Sequence, residues 1–200
     1  MDVNGGVPDS VPEAGGDGPP VFDSDWRGRP VSVSAILPAD MAVPEESAGD
    51  PPGWADAEYP GSTDGGFLYR RCLLLPERFG GADADGNVFT GTAYLAQAGL
   101  RPVYERIAAY LEGGAGRCVY YRATLYYTGS NFVPDGILIE AVSDDGAWHA
   151  CAYAWNVQPG VGIDYASGRS WLEAAGDPES GGDEADEDAE GGAGDGSDAQ

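Results

Sequence analysis

Phe67 to Gly81 reads FLYRRCLLLPERFGG, an aromatic-flanked apolar run that meets two arginines and a cysteine. Guanidinium groups bind phosphate or carboxylate through paired hydrogen bonds, so Arg70 and Arg71, with Arg101 further on, could form a phosphate-reading cluster. Their plainer role is ion pairing with the abundant carboxylates of the chain. Cys72 could serve as a nucleophile only beside a base that holds it as thiolate. The lone histidine, His149, lies far along the sequence from it, which makes a buried structural thiol the expected role. In AWHACAYAWNV, His149 stands among alternating aromatics, where a packed or surface histidine is the plain reading. Asp83 and Asp85, in the loop GGADADGN, could hold a magnesium ion, which needs one or two carboxylates plus waters. A loop so rich in Asp and Gly is otherwise a solvated turn. No zinc-ligand spacing, P-loop, dinucleotide fingerprint or nucleophile elbow occurs.

The elements that must position these residues form an α+β pattern. VSVSAIL (31–37) alternates as a strand should, and PPGW (51–54) reads as a turn. FLYRRCLLL is a second strand, more apolar and so more buried at its end. After the loop GGADADGN a helix is expected in GLRPVYERIAAYLEGG, with Pro102 in its first turn and Gly113–Gly114 as its stop. Val103, Ile107, Tyr110 and Leu111 recur there at helical spacing. CVYYRATLYYT, the turn GSN and GILIEAV form a hairpin, and AWHACAYAWNV adds a third strand. His149, Tyr153 and Trp155 occupy one of its faces; Trp148, Ala150, Ala152 and Ala154 occupy the other. A central antiparallel sheet with packed helices is the economical arrangement.

Charge divides the chain of 200 residues into a body and two tails. Met1 to Asp25 holds six acids and no base, and Trp171 to Gln200 holds eleven acids and no base. Between them, seventeen acids face ten arginines, so most of the net charge of −24 sits at the ends. Residues 1–22 and 172–200 are rich in Gly, Asp, Pro and Ser, a composition that buries too little apolar surface to offset ordering entropy. Both are expected to be disordered, flanking a domain over 23–171. The acidic tail reads as a solubilising segment, or as bait for a basic partner. An acidic chain is repelled by phosphate backbones, which disfavours general nucleic-acid binding. Three cysteines without CxxC spacing leave at least one thiol unpaired in a monomer, which fits a reducing compartment. The beginning as written lacks a basic n-region and an apolar h-region, so a cytoplasmic location is expected. No apolar run approaches the roughly eighteen residues of a membrane helix, and no membrane partner is expected.

Several long segments together resemble a known family. NVQPGVGIDYASGRSW (156–171) is similar to the C-terminal end of the DNA/RNA non-specific endonucleases, in the streptococcal and competence-nuclease branch, which reads close to YNVQPGxxIDYATGxS. CVYYRATLYYTGSNFVPDGILIEAVS resembles that branch's VLYRVTPxFxGDNLxxxGVxMEAxS. NVFTGTAYLAQAGLRPVYERIAAYL resembles its NLITGTxYLNxxGMLPFExxVADYV without a gap. FLYRRCLLL takes the place of its YLYNRCHLI. The likeness runs from Trp26 to Trp171.

The resemblance implies a ββα-metal fold in which a central antiparallel sheet and a ββα element cradle one divalent metal. It also implies cleavage of phosphodiester bonds in DNA and RNA with little sequence preference, by proteins that are often secreted. In the family a histidine is the general base, an asparagine holds the metal, and a glutamate on the helix assists. The histidine position, after the matching Arg71 and Cys72, is Leu73. The asparagine position, after Tyr94 and Leu95, is Ala96. The glutamate position, two after Pro102, is Tyr104. The framework matches Arg71, Asn87, Thr90, Gly91, Thr92, Tyr94, Gly99 and Pro102 are retained.

Glu105 is the one nearby substitute, but one residue turns a helical side chain by about 100°. A positioned general base contributes about 10²–10⁴ in rate, and a metal stabilises charge on the phosphoryl oxygens. Leucine and alanine supply neither. The expected function is therefore a nuclease-like binding or regulatory module with no intact catalytic residue and no cofactor. Two alternatives stand beside it. One is an active nuclease that uses Mg²⁺ with Glu105 and a loop aspartate. The other is an acidic decoy for an unidentified, basic protein partner.

Overall fold

The alternation in VSVSAIL becomes β2 (Pro30–Pro38), which buries Val33, Ala35 and Leu37 on one face. The computed structural model describes residues 18–39, 49–55 and 66–173. Segments 1–17 and 174–200, where most of both expected disordered tails fall, lie outside the described residues.

β1 (Val21–Ser24), β2, β5 (Cys118–Tyr126), β6 (Gly136–Ser143) and β7 (His149–Trp155) form one antiparallel sheet in the order β1-β2-β5-β6-β7. Ordering thus begins inside the stretch 1–22, because Val21 and Phe22 pair with Ser34 and Val33. β5 and β6 are joined by residues 127–135, a connection longer than the GSN turn read from the sequence. On β7 the alanine face is buried, with Ala150, Ala152 and Ala154 turned to the core and His149, Cys151 and Tyr153 on the opposite face.

α1 (Arg101–Glu112) lies on the alanine side of the sheet. Its stripe of Val103, Ile107 and Leu111 is buried in the main core, each such side chain contributing about 1.5–3 kcal/mol on burial. Pro102 lies in the first turn of α1, as expected from the sequence, but helical backbone precedes that turn. A π-helical segment, Leu95–Leu100, precedes it, and the Arg101 N–H donates to the Ala96 carbonyl five residues back. Proline has no N–H, and its ring crowds the carbonyl four residues earlier. The wider turn accommodates both constraints.

Two hairpins complete the frame; the first strand falls in FLYRRCLLL as expected, while the other three were not read from the sequence. β3 (Tyr69–Leu73) pairs antiparallel with β4 (Val88–Thr92), whose five residues are all buried. Burial on both faces removes the alternation that would have marked β4. β8 (Val161–Asp164) and β9 (Arg169–Leu172) form a second small hairpin, so strand structure extends to Leu172, one residue into the expected tail. β3, β4 and the following helix constitute the expected ββα element.

Candidate functional site

Arg71, Leu73, Ala96 and Tyr104 come from three different elements and line one cleft of about 500 Å³. β3 supplies Arg71 and Leu73, the π-helical segment supplies Ala96, and α1 supplies Tyr104. Arg70, Cys72 and Leu100 complete it, with Pro76, Glu77 and Arg78 from a short 3-10 turn (Glu77–Phe79) folded back beside β3.

Each side chain is held in a definite way. The Arg71 guanidinium donates to Asp83 at 2.7 Å and to the Gly49 carbonyl at 2.7 Å, with Asp50 at 3.7 Å. Tyr104 packs edge-on against Phe79, ring centroids 6.1 Å apart, and its hydroxyl donates to the Leu73 carbonyl at 3.5 Å. The neighbouring Tyr121 hydroxyl donates to the Leu74 carbonyl at 2.7 Å. Burial, reinforced by the neighbouring Tyr121, pushes the Tyr104 phenol well above its ordinary value. Burial likewise pushes the Cys72 thiol up to about 12, against a lesser opposing pull from Arg70. Cys72 is therefore a thiol at neutral pH, not a nucleophilic thiolate.

The other sequence candidates lie elsewhere. Glu105 does not line the cleft; its carboxylate pairs with Arg101 at 2.7 Å, and both side chains are more than half exposed. Arg101 is thus not part of the arginine cluster, and Arg78 takes the place expected for it. Asp83 is engaged by Arg71, and Asp85 borders a separate hollow beside Asp50 and Gly86. His149, opposite Val142 in β6, is on the sheet face away from α1. Arg78 and Glu77 were not legible as site residues, because only the backward fold of the 3-10 turn brings them to the cleft.

The family metal does not fit this donor set. The cleft lining offers one carboxylate, Glu77, while Leu73 and Ala96 present hydrocarbon without a lone pair. Among the described residues, no three of His, Cys, Asp and Glu gather as a ligand set.

The retained framework residues make specific scaffold contacts. Asn87 is buried; its side-chain oxygen accepts from the Leu75 N–H at 2.8 Å, and its amide donates to the Leu75 and Ala82 carbonyls. Thr90 donates to the Pro52 carbonyl and Thr92 to that of Val157. A Cβ on Gly91 would stand 2.4 Å from Cys72 Sγ, and one on Gly99 would stand 3.0 Å from Ala154 Cβ. NVQPG and IDYASG play the same kind of part. Asn156 accepts from the Thr92 N–H and donates to the Thr90 and Pro134 carbonyls. Gly168, at φ +77°, passes so close to the Gly53 carbonyl that no side chain fits.

Residues 13–145 match the sequence model of the DNA/RNA non-specific endonuclease family. Among solved structures, the chain is similar to NucA from Streptococcus agalactiae with no metal bound, at 22% identity and a TM-score of 0.71 over 84% of each chain. The same NucA with magnesium bound aligns at 21% identity and 0.68, over 77% of this chain and 79% of that one. The Sda1 nuclease with bound zinc aligns at 22% identity and 0.68, over 78% and 82% respectively. These likenesses are likenesses of fold. No curated protein matches the chain. With a family match across two-thirds of its length and the ββα frame in place, the chain belongs to the DNA/RNA non-specific endonuclease family.

Proposed function

We propose that this chain is a non-catalytic member of the family, in which the nuclease scaffold serves as a binding or regulatory module. One observation carries the reading. The three positions that match the family's base, metal-holding asparagine and helix glutamate converge on a single cleft as Leu73, Ala96 and Tyr104. The matched framework residues Asn87, Thr90 and Thr92 make the scaffold contacts described above. Proton abstraction needs a lone pair at the base position and cation coordination needs one at the asparagine position; hydrocarbon has neither. The substitutes considered from the sequence are engaged elsewhere, Glu105 with Arg101 and Asp83 with Arg71.

A plasmid-nicking assay on the full chain with Mg²⁺ or Mn²⁺, and EDTA as control, tests the reading. The expected result is no nicking above the buffer rate in any of the three conditions. Nicking that requires the metal and disappears with EDTA would overturn it in favour of rearranged catalytic residues.

A further inference from the structure

We infer that the sheet face turned away from α1 is the contact surface for a second copy of this chain, in a weak symmetric dimer. α1 and the π-helical segment pack on the other face. On this one, Ile36, Tyr120, Leu138 and Val142 stand half-buried side by side across β2, β5 and β6. At one end, Tyr153 packs edge-on between Tyr126 and Trp155, with ring centroids 5.7 and 4.9 Å away. Those two outer rings are about half exposed. Aromatic anchors of this kind dominate the centres of protein contacts.

Charge selects the occupant. Arg122 of β5 and Glu140 of β6 stand directly opposite each other in the middle of the face. Among the described residues, neither side chain forms an ion pair or a hydrogen bond. A lone base or a lone acid would suit a partner of opposite charge, whereas a base beside an acid suits a copy of itself. A two-fold axis between the faces, parallel to the strands and midway between β5 and β6, carries β5 of one copy over β6 of the other. Each Arg122 then meets the partner's Glu140, and the contact is isologous. Aligned stacking of two sheets, with strands within about 30° of each other, permits this pairing. With strands about 4.8 Å apart and about 3.3 Å per residue, four strands of seven residues cover about 19 Å by 23 Å. Two such faces bury about 900 Å² together, just under the range of specific interfaces, about 1,200–2,000 Å². The net charge of −24 on each copy also opposes association, so the dimer is concentration-dependent. The candidate cleft lies on the α1 side of the sheet and is left open.

Sedimentation velocity of the full chain from about 2 to 200 µM, in about 0.15 M salt, tests the assignment. The weight-average mass is expected to climb from 20.7 kDa towards twice that value. Arg122→Glu and Glu140→Arg should each weaken dimerisation more than about tenfold, because like charges then face each other across the axis. An equimolar mixture of the two variants should dimerise at least as well as the unmodified chain, since an all-basic centre meets an all-acidic one. Charges that act only within their own sheet cannot be rescued by mixing, so a mixture that stays monomeric overturns the inference. A monomer at every concentration, with the face open or taken by another molecule or another segment of the chain, also overturns it. So does a dimer that both single variants leave unchanged.

Discussion

At the scale of single residues, the retained side chains and the altered ones do different kinds of work. Asn156 has no exposed surface, and its amide satisfies three backbone groups drawn from β4 and from the connection before β6. Replacing it leaves an N–H and two carbonyls buried without partners, and each such loss costs about 1–3 kcal/mol. Asn156→Ala is expected to lower unfolding stability by about 3–5 kcal/mol in urea denaturation. A loss below about 1 kcal/mol would show that water or backbone movement replaces the clamp. Leu73 and Ala96 have no comparable bonds to lose, since they present only hydrocarbon to the cleft.

At the scale of elements, the cleft exists because β3, β4 and the helical segments meet at fixed angles. The outer sheet was legible because β2, β5, β6 and β7 bury one face and alternate. β4 was not, because Val88–Thr92 is buried on both faces and Gly91 must lie against Cys72. Pro102 marked the first turn of α1, whereas nothing in the sequence marked the π segment before it. Leu73, Ala96 and Tyr104 stood out only by likeness to the family, since nothing in their own types announces a site. Because the frame positions them together, reinstating donors should act cooperatively. Leu73→His/Ala96→Asn is expected to gain Mg²⁺-dependent plasmid nicking, while each single variant remains at the buffer rate. Tyr104 is kept in this test because it packs against Phe79 and donates to the Leu73 carbonyl. A folded double variant with no nicking would show that the matched positions are not sufficient as placed.

At the scale of the whole molecule, burial and net charge set the response to pH in opposite directions. Asp145 and Asp164 are held below the ordinary carboxylate value, first by hydrogen bonds from Ser143 and Ser167 and then by backbone N–H groups. Their contribution is present above the unfolded value of 3.8 and is lost as pH falls through the folded one. Since the isoelectric point is near 4.1, solubility should pass through its minimum before that contribution disappears. The alkaline limb is set by burial. Cys72 rises from 9.0 to about 12, Tyr69 rises from 10.0 to about 12, and Tyr104, Tyr121 and Tyr127 are also raised. Above the unfolded values the unfolded chain has released protons that the folded chain still holds, so stability falls as pH rises. The melting temperature should hold through neutral pH and decline from about pH 9, where unfolded Cys72 begins to titrate. Cys72→Ala lowers stability at every pH through the cavity it leaves. Its decline should nevertheless begin nearer pH 10, where the unfolded tyrosines ionise. Thermal melts of both proteins between pH 7 and 11, at roughly half-unit steps, resolve the offset. Coincident onsets would show that the Cys72 thiol is not the first group whose burial is lost.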